Sequence, residues 1–496
     1  MKSVYDIIKN SGLTYHQKIF KLAMEAESLV NPLQRSNKAK EYLANRIICE
    51  MFEGSAPYRP RYTIPDYKKF IKNGSEFLGL KPPADLMSAV NNLLIIYKHI
   101  PSITSFPVYI GDLDSILEPF VLNENEKNAY EILKNFFLHI DRTLTDSFVH
   151  CNIGPRHTKT ANLILKIERE LCNATPNLSL KYDNTTGDEL ALEAVKTGLI
   201  ASKPYFVNHS LYKKDFPGGY GIASCYNALP LGGGSHTLVR LNLKELALRA
   251  TTLNTFLKNS IPEAVAVTRE IINERIRFLI EESKFYEKNF LVAEGLLTLN
   301  KFTAMFGIFG LAESVNILMN SRKKSDRFGN NQEADLAGVN IIETIVKEVN
   351  KYSNKYCAAT GSKFLLHAQS GIVCDTDVSP GCRIPVTDEP DLISRIRNAG
   401  LFHKYFPAGI SDNFVFEKTV RQNPESVLDI IKGAMKNKLR SFSFYCSDSD
   451  LIRITGFLVK KSEILKSEKG LQTLHDTVPL GLDAYKNKDI LNRRIY

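Results

Sequence analysis

The chain has 496 residues, of which 44% are hydrophobic, 24% charged and 10% aromatic. These are the values of ordinary globular proteins, so a disordered or fibrous protein is excluded. The formal net charge of +10 is compatible with an anionic substrate or with nucleic acid, but the basic residues are spread along the chain on faces typical of solvated helices, which disfavours a nucleic-acid partner.

The first 140 residues are predicted to form a helical N-terminal layer. Apolar residues recur there at the spacing of amphipathic helices, and stretches that contain Pro and Gly separate them. The helical segments are IFKLAMEAESLV (19–30), EYLANRIICEMF (41–52), DLMSAVNNLLIIYKHI (85–100) and AYEILKNFFLHI (129–140).

From about residue 141 onward, short strand candidates alternate with helix candidates. Strands are predicted at 143–150, 177–183, 204–212, 237–243, 364–370 and 440–447. Helices are predicted at 158–172, 187–201, 244–259, 262–285, 303–320, 335–356 and 425–438. This alternation indicates βαβ units and a mainly parallel sheet, for which an α/β barrel is the economical arrangement. We divide the chain into a helical region (1–140), a barrel (141–440) and a C-terminal segment (441–496).

The eight cysteines offer no evident metal site. No two of them form a C-x-x-C pair, and HCNIGPRH (150–157), which contains His150, Cys151 and His157, has no evident fourth ligand, so we predict no bound metal. The N-terminus lacks the apolar core of a signal peptide, and no apolar run could span a bilayer. We therefore expect a cytoplasmic chain with reduced thiols and no membrane partner.

A glycine-rich stretch around Cys225 is the first candidate site. Gly218, Gly219 and Gly221 precede the cysteine, and Gly232 to Gly234 follow it. Because glycines adopt backbone conformations that other residues resist, this loop could turn tightly and present Cys225 at its tip. The residues alone also allow a small buried hydrophobe, and the run lacks the spacing of a phosphate-binding or dinucleotide-binding loop.

The second candidate site is RITGF (453–457), near the C-terminus. Gly456 stands between a β-branched residue and an aromatic one. A glycine in a strand forfeits side-chain packing and usually marks a bulge or a close approach of another chain segment. Taken alone, the pentapeptide is compatible with a bulge in a C-terminal strand.

Together, and in this order, the two motifs resemble the glycyl radical enzymes. That family stores a backbone radical on the glycine of an Arg-Val-x-Gly-Tyr loop, which 453–457 matches with Ile454 for valine and Phe457 for tyrosine. Two further blocks are similar to the family's: the strand pair at 175–183 and 204–209, and GIFGLAES (307–314). The short length of the chain and the sequences of these blocks are most similar to those of the YjjI group.

The resemblance implies a fold, a radical and a partner. The fold is an α/β barrel of ten strands in two half-barrels with a helical N-terminal layer. A radical on Gly456 would take the hydrogen of Cys225, and the thiyl radical would abstract hydrogen from a small polar organic substrate in anaerobic metabolism. No tightly bound cofactor is implied, because a separate radical SAM activating enzyme, using S-adenosylmethionine and an iron–sulfur cluster, would install the radical. A homodimer is also implied, since many relatives are dimers.

Departures from the better-known subfamilies limit the reaction. Ser224 stands where pyruvate formate-lyases have a second cysteine, and Asn227 where diol dehydratases and choline lyases have a general-base glutamate. The paired C-x-x-C zinc ligands of anaerobic ribonucleotide reductases are missing. We therefore expect a lyase, dehydratase or isomerase, with the substrate left open.

Several other residues are candidates for the site. Arg453 and Phe457 flank the glycine and are predicted to support the radical loop. Acid–base or substrate-binding candidates are Asn227, Asn208, His209, His236 and His367. For each histidine the alternative is a hydrogen-bonded structural role.

Two other functions stay open. The altered positions Ser224 and Asn227 are compatible with a degenerate family member that binds a metabolite or partner without radical chemistry. The basic charge and the C-terminal strand are compatible with a relative of anaerobic ribonucleotide reductase, which would bind nucleoside triphosphates.

Overall fold

The computed structural model describes residues 4–51, 53–55, 57–368, 378–479 and 492–496. Ten strands in these ranges form two five-stranded sheets, and four shorter strands form two hairpins. In chain order the strands are β1 Ile48–Cys49, β2 Tyr62–Ile64, β3 His150–Ile153, β4 Asn177–Tyr182, β5 Tyr205–Asn208, β6 Tyr220–Ala223, β7 Asn227–Pro230, β8 Gly233–Asn242, β9 Phe302–Phe309, β10 Leu365–Ala368, β11 Asn413–Phe416, β12 Ser441–Cys446, β13 Leu451–Arg453 and β14 Leu458–Lys460.

The first sheet has β8 near its centre. It runs in the order β1–β8–β9–β10, and β2 also pairs with β8. The β8–β9 and β9–β10 pairs are parallel, whereas β1 and β2 lie antiparallel to β8. The second sheet runs β11–β12–β5–β4–β3; its β3–β4, β4–β5 and β11–β12 pairs are parallel, and β12 is antiparallel to β5.

Irregular segments hydrogen-bond to the outer strands of both sheets. The amide of Ala368 donates to the carbonyl of Gly409, and that of Ala408 to Leu366, so the chain just before β11 lies along β10. At β3, the amide of Ile110 donates to His150. The fold is thus α/β, with ten strands in two five-stranded halves, and the predicted fold class is confirmed.

Helices surround the sheets and form the N-terminal layer. They are α1 Val4–Lys9, α2 Tyr15–Glu27, α3 Asn37–Ala44, α4 Tyr67–Asn73, α5 Leu86–Tyr97, α6 Leu113–Val121, α7 Glu126–Thr143, α8 Lys159–Leu171, α9 Asp188–Ala201, α10 His209–Asp215, α11 Leu243–Ala247, α12 Leu253–Thr255, α13 Ile261–Arg277, α14 Phe285–Lys288, α15 Phe290–Ala293, α16 Leu311–Leu318, α17 Gln332–Val349, α18 Leu392–His403, α19 Pro424–Lys436 and α20 Lys461–Glu468.

One large apolar core joins the N-terminal layer to the second sheet. Phe136 of α7 and Tyr97 of α5 belong to the same buried cluster as Leu178 of β4 and Phe206 of β5. A second cluster lies under α13 and α17 against β8 and β9. The domain boundaries at 140 and 440 stay predictions. Within the described ranges, no helix has both the length and the apolar character that a bilayer crossing requires.

The structure corrects the predicted helix at 303–320. Residues Phe302–Phe309 form β9, every residue of which is buried, and only Leu311–Leu318 are helical. A central strand with two covered faces has a continuous apolar run, which periodicity cannot distinguish from a buried helix. Gly310 separates the two elements at a φ of +77°.

Four other predicted elements differ in part from the structure. Of the strand predicted at 143–150 only His150 belongs to a strand, because α7 continues to Thr143 and β3 begins at His150. The segment 41–52 is helical only to Ala44 and then enters β1. The strand predicted at 204–212 ends at Asn208, whose side chain caps α10 by accepting from the Leu211 amide. The helix predicted at 244–259 is interrupted after Ala247, and Thr252 caps the next turn. The end of the predicted strand 364–370, and Cys374 beyond it, lie outside the described residues.

Candidate functional site

Two hairpins meet inside the fold. In the cysteine hairpin, β6 and β7 are joined by Ser224–Tyr226, which places Cys225 at the tip. In the glycine hairpin, β13 and β14 are joined by residues 454–457. The predicted glycines lie at the base of the first hairpin, where Gly219 and Gly232 have positive φ, whereas the tip turns at Ser224 with φ +55°.

Gly456 and Cys225 touch directly. A Cβ built on Gly456 would lie 2.5 Å from the Cβ of Cys225 and 2.8 Å from two ring atoms of Tyr226. A Cα–H bond of the glycine occupies that direction and therefore points at the cysteine. No side chain fits there without a shift of the backbone, so the position requires glycine on steric grounds.

The peptide carbonyl before Gly456 accepts two side-chain hydrogen bonds. The oxygen of Thr455 accepts from Nη2 of Arg383 at 2.8 Å and from Nδ2 of Asn413 at 2.9 Å. All three residues are buried. A charge-assisted donor and a neutral donor thus draw electron density toward this oxygen.

The carbonyl of Gly456 itself has a matching pair of donors. It accepts from Nη1 of Arg453 at 3.2 Å and from Nδ2 of Asn177 at 3.1 Å. Arg453 also donates to the Ser202 carbonyl and to Oδ1 of Asn177, and its guanidinium lies 4.9 Å from the Tyr205 ring centre. Burial lowers the pKa of Arg453 to about 10, which leaves it charged at neutral pH. Each peptide group beside the Gly456 Cα therefore has one arginine and one asparagine donor.

The Cys225 thiol is buried and protonated. Burial raises its pKa to about 12, so the S–H form prevails at neutral pH. Its carbonyl accepts from the Tyr205 hydroxyl at 2.8 Å. The preceding carbonyl, of Ser224, accepts from Nδ1 of His150 at 2.6 Å and from Asn177 at 3.4 Å. Burial lowers the pKa of His150 to about 3, so this ring is neutral and holds the tip by its Nδ1–H.

Phe457 and two of the polar candidates lie at this site. Phe457 is buried edge-on against Phe148, with ring centres 5.6 Å apart. Asn227 donates to the Ala223 carbonyl, and its Oδ1 is buried without a partner among the described residues. His367 bonds the Gly409 carbonyl through Nδ1, and its ring centre is 5.4 Å from that of Tyr226.

The remaining three candidates are engaged elsewhere. Asn208 donates to the carbonyls of Met435 and Leu439 and caps α10. His209 is half-buried and bonds the Tyr220 hydroxyl, at the base of the cysteine hairpin rather than at its tip. Both ring nitrogens of His236 have partners, the Tyr286 hydroxyl and the Tyr356 carbonyl. The structure does not bring these three to the Cys225–Gly456 contact.

Sequence reasoning missed four residues of the site, namely Arg383, Asn413, His150 and Asn177. Asn177 belongs to a block that was singled out, TPNLSLKYD, but nothing in that block marks the side chain as a donor. His150 was considered only as a member of the HCNIGPRH cluster, and Arg383 and Asn413 stand in no recognised motif. In the described part of the chain, no group of three His, Cys, Asp or Glu side chains is arranged to hold a metal ion.

Comparisons with known proteins place this geometry in context. The family model for glycyl radical enzymes that are YjjI-like matches residues 13–496. An uncharacterized protein of Haemophilus influenzae is 40% identical over 100% of this chain and 97% of its own length. YjjI of Escherichia coli is 40% identical over 98% of this chain and 94% of its own length. The anaerobic ribonucleotide reductase of Thermotoga maritima, solved with dATP and CTP, superposes with a TM-score of 0.70 at 16% identity, covering 94% of this chain and 92% of that one.

Proposed function

Because the chain belongs to the YjjI-like family of glycyl radical enzymes, we propose that Gly456 stores a radical which Cys225 delivers to a substrate. The observation that carries the proposal is the direct contact between the two residues, with a Cα–H of the glycine pointing at the cysteine. Hydrogen-atom transfer needs this near-contact, because the barrier rises steeply once the reacting atoms separate.

The surroundings of Gly456 suit an unpaired electron. A radical on its Cα is stabilised by delocalisation into both flanking peptide groups, and spin and charge then build up on the carbonyl oxygens of Thr455 and Gly456. Each of these oxygens has two fixed donors. Donors that are already oriented cost no reorganisation when the radical forms, so they lower its energy relative to the C–H state.

The transfer itself balances without a co-reactant. The S–H bond of Cys225 breaks homolytically, its hydrogen atom forms the second Cα–H bond of Gly456, and the unpaired electron moves to sulfur. The thiyl radical then takes a hydrogen atom from a substrate carbon, which restores the S–H bond, and returns it to the product radical. The raised pKa of the Cys225 thiol serves this chemistry, since a thiolate has no hydrogen atom to give.

The residues beside Cys225 favour a lyase, dehydratase or isomerase reaction. Ser224 cannot carry an acyl group as a second cysteine would, and Asn227 cannot act as a carboxylate base. This leaves reactions in which the substrate radical rearranges, or eliminates a group, with little help from a protein base. A small polar organic molecule is the expected substrate.

A separate activating enzyme would generate the radical. Gly456 is enclosed by Cys225 and Tyr226, so the glycine hairpin must leave this contact to be reached from outside. The expected activator is a radical SAM protein of the same cytoplasm with an iron–sulfur cluster, and a homodimer remains the expected assembly.

Electron paramagnetic resonance tests the proposal. Protein produced without oxygen beside its activating enzyme should show a doublet, which Gly456→Ala abolishes and Cys225→Ser retains. On exposure to air the same sample should be cleaved at Gly456, releasing a C-terminal fragment of about forty residues that mass spectrometry identifies. Intact protein with a proven activator and no signal would instead support a degenerate member that binds without radical chemistry.

A further inference from the structure

A buried charge network next to the glycine hairpin has more cations than anions. Arg395 pairs with Glu389 at 3.0 Å and with Asp412 at 2.7 Å, and Arg493 pairs with the same Glu389 at 3.1 Å. Arg383 faces this network but forms no ion pair with a described residue. Within the described ranges, three buried arginines thus share two carboxylates, an excess of one positive charge.

Arg383 is also incompletely hydrogen-bonded. Its Nε donates to the Ser411 carbonyl at 2.6 Å and its Nη2 to the Thr455 carbonyl at 2.8 Å, both neutral acceptors. Its Nη1 is buried and has no partner among the described residues, although the side chain is only 4% exposed. Burial lowers the pKa of Arg383, and Arg493 and Arg395 lower it further, whereas Tyr226 and Asp412 act in the opposite direction.

Two more unpartnered polar atoms belong to the two hairpins that meet at this site. The hydroxyl of Thr455, whose own carbonyl holds Arg383, is buried without a partner within the described ranges. So is Oδ1 of Asn227, in the hairpin that contacts Gly456. The guanidinium carbon of Arg383 lies 6.0 Å from the Tyr226 ring centre, which itself packs on Gly456. Buried polar atoms are almost always paired in native proteins, so three together beside the reacting atoms need an explanation.

We propose that the substrate carries an oxyanion, a carboxylate or a phosphate, which Nη1 of Arg383 and the Thr455 hydroxyl bind beside Gly456. The proposal rests on the radical function for the location of the substrate. Water could satisfy an N–H donor, but an anion also balances the excess positive charge of the described residues, and an uncompensated buried charge is strongly unfavourable. The Asn227 Oδ1 then accepts from a hydroxyl or amine of the same molecule. Neutral diols and simple amino alcohols are excluded as substrates.

Binding to protein that carries no radical tests this inference separately. We would titrate the unactivated protein by calorimetry with glycolate, lactate and glycerate, and with their neutral counterparts ethylene glycol, propane-1,2-diol and glycerol. A further arm uses inorganic phosphate and glycerol 3-phosphate, which distinguishes a phosphate from a carboxylate. We expect saturable binding of at least one oxyanion and none of its neutral counterpart.

Three variants identify the binding groups. Arg383→Gln should weaken oxyanion binding about thirtyfold or more, the usual effect of removing one partner of a buried charge pair. Thr455→Val removes only the hydroxyl and conserves shape, so it should weaken binding severalfold even if Arg383→Gln folds poorly. The exposed Arg421 pairs with Asp448, so Arg421→Gln removes the same charge from a surface ion pair and should leave binding unchanged.

The outcomes are decisive in both directions. Equal binding of a hydroxy acid and its neutral counterpart, no saturable binding of any oxyanion, or wild-type affinity in Arg383→Gln and Thr455→Val would each overturn the inference. Oxyanion binding in a protein that never yields a Gly456 radical would retain the anion site and reject the radical function. A Gly456 radical in a protein that binds no oxyanion would retain the radical function and reject the anion site.

Discussion

Asn177 bonds both hairpins, and replacing it should separate fold stability from radical stability. Its Nδ2 donates to the carbonyls of Gly456 and Ser224, and its Oδ1 accepts from Nη2 of Arg453. In Asn177→Ala neither carbonyl is left bare, because Arg453 still donates to Gly456 and His150 to Ser224. Besides a bond from the neighbouring Leu178 amide to Oδ1, the variant loses three hydrogen bonds to other segments. At about 1 kcal/mol each, these three predict a loss of about 3 kcal/mol in the free energy of unfolding.

Asn152 offers a matched control in the adjacent strand. It is also fully buried, and it bonds the Ile222 amide and carbonyl and the Ser179 hydroxyl. Asn152→Ala thus loses three hydrogen bonds, again about 3 kcal/mol of stability, without touching Gly456. Denaturant unfolding of the inactive proteins should therefore give similar losses for the two variants.

The two variants should differ in the radical. Loss of one of the four carbonyl donors shifts the balance from the Gly456 radical toward its C–H form by up to about fivefold, because only the additional strength of the bond in the radical state, at most about 1 kcal/mol, counts. We expect Asn177→Ala to hold correspondingly fewer spins per chain after activation, and Asn152→Ala to resemble the wild type once both are shown to be folded. Equal spin counts in the two variants would refute the view that carbonyl hydrogen bonding stabilises the radical.

Three further outcomes follow from the site and its surroundings. Gly456→Ala should cost about 1–3 kcal/mol by overpacking, because its Cβ would meet that of Cys225 at 2.5 Å. Cys225→Gly in the same chain should recover part of this loss in denaturant unfolding, since the contacts at 2.8 Å with two Tyr226 ring atoms remain. In the native protein Cys225, whose pKa is raised to about 12, should be alkylated by iodoacetamide far more slowly at pH 8 than the partly exposed Cys172. After unfolding, peptide mapping should find both cysteines reactive. Fast labelling of Cys225 in the native protein would contradict its burial. Burial lowers the pKa of His236 to about 4, so as the pH falls below about 6.5 this histidine is protonated first in the unfolded chain. The folded protein therefore loses stability between pH 6.5 and 4. His236→Gln should remove about 2 kcal/mol of the decrease in unfolding free energy measured from pH 7 to pH 5. An unchanged pH profile would show that His236 is not buried in the neutral form.

Local patterns in the sequence predicted the outline of the fold well where an element has one apolar face. The amphipathic α5, α7 and α8 lie close to their predicted ranges, and so do β4 and β12. The pattern failed where burial covers both faces, as in β9, which was predicted as a helix. It also failed where one capping side chain, Asn208 or Thr252, changes the direction of the backbone.

The candidate site divides along the same line. Gly456 and Cys225 are recognisable in the sequence because each stands in a local motif, and the order of the motifs indicates the family. Asn227 and His367 lie at the site, whereas Asn208, His209 and His236 do not. The sequence around a polar residue does not show which partner its side chain meets in the folded protein. Arg383 and Asn413 bond the Thr455 carbonyl from segments without any motif.

By itself, the sequence determined that Gly456, without side-chain bulk, and Cys225, in a glycine-rich stretch, would be available, and in which order they follow along the chain. The tertiary structure alone decided that the two touch, that four donors from separate segments converge on the carbonyls beside Gly456, and that Arg383 is buried without a carboxylate partner among the described residues. The physical reason is that protonation states, charge balance and hydrogen-bond pairing depend on which distant segments exclude water from a group. Such a property belongs to the packed fold and has no local signature in the chain.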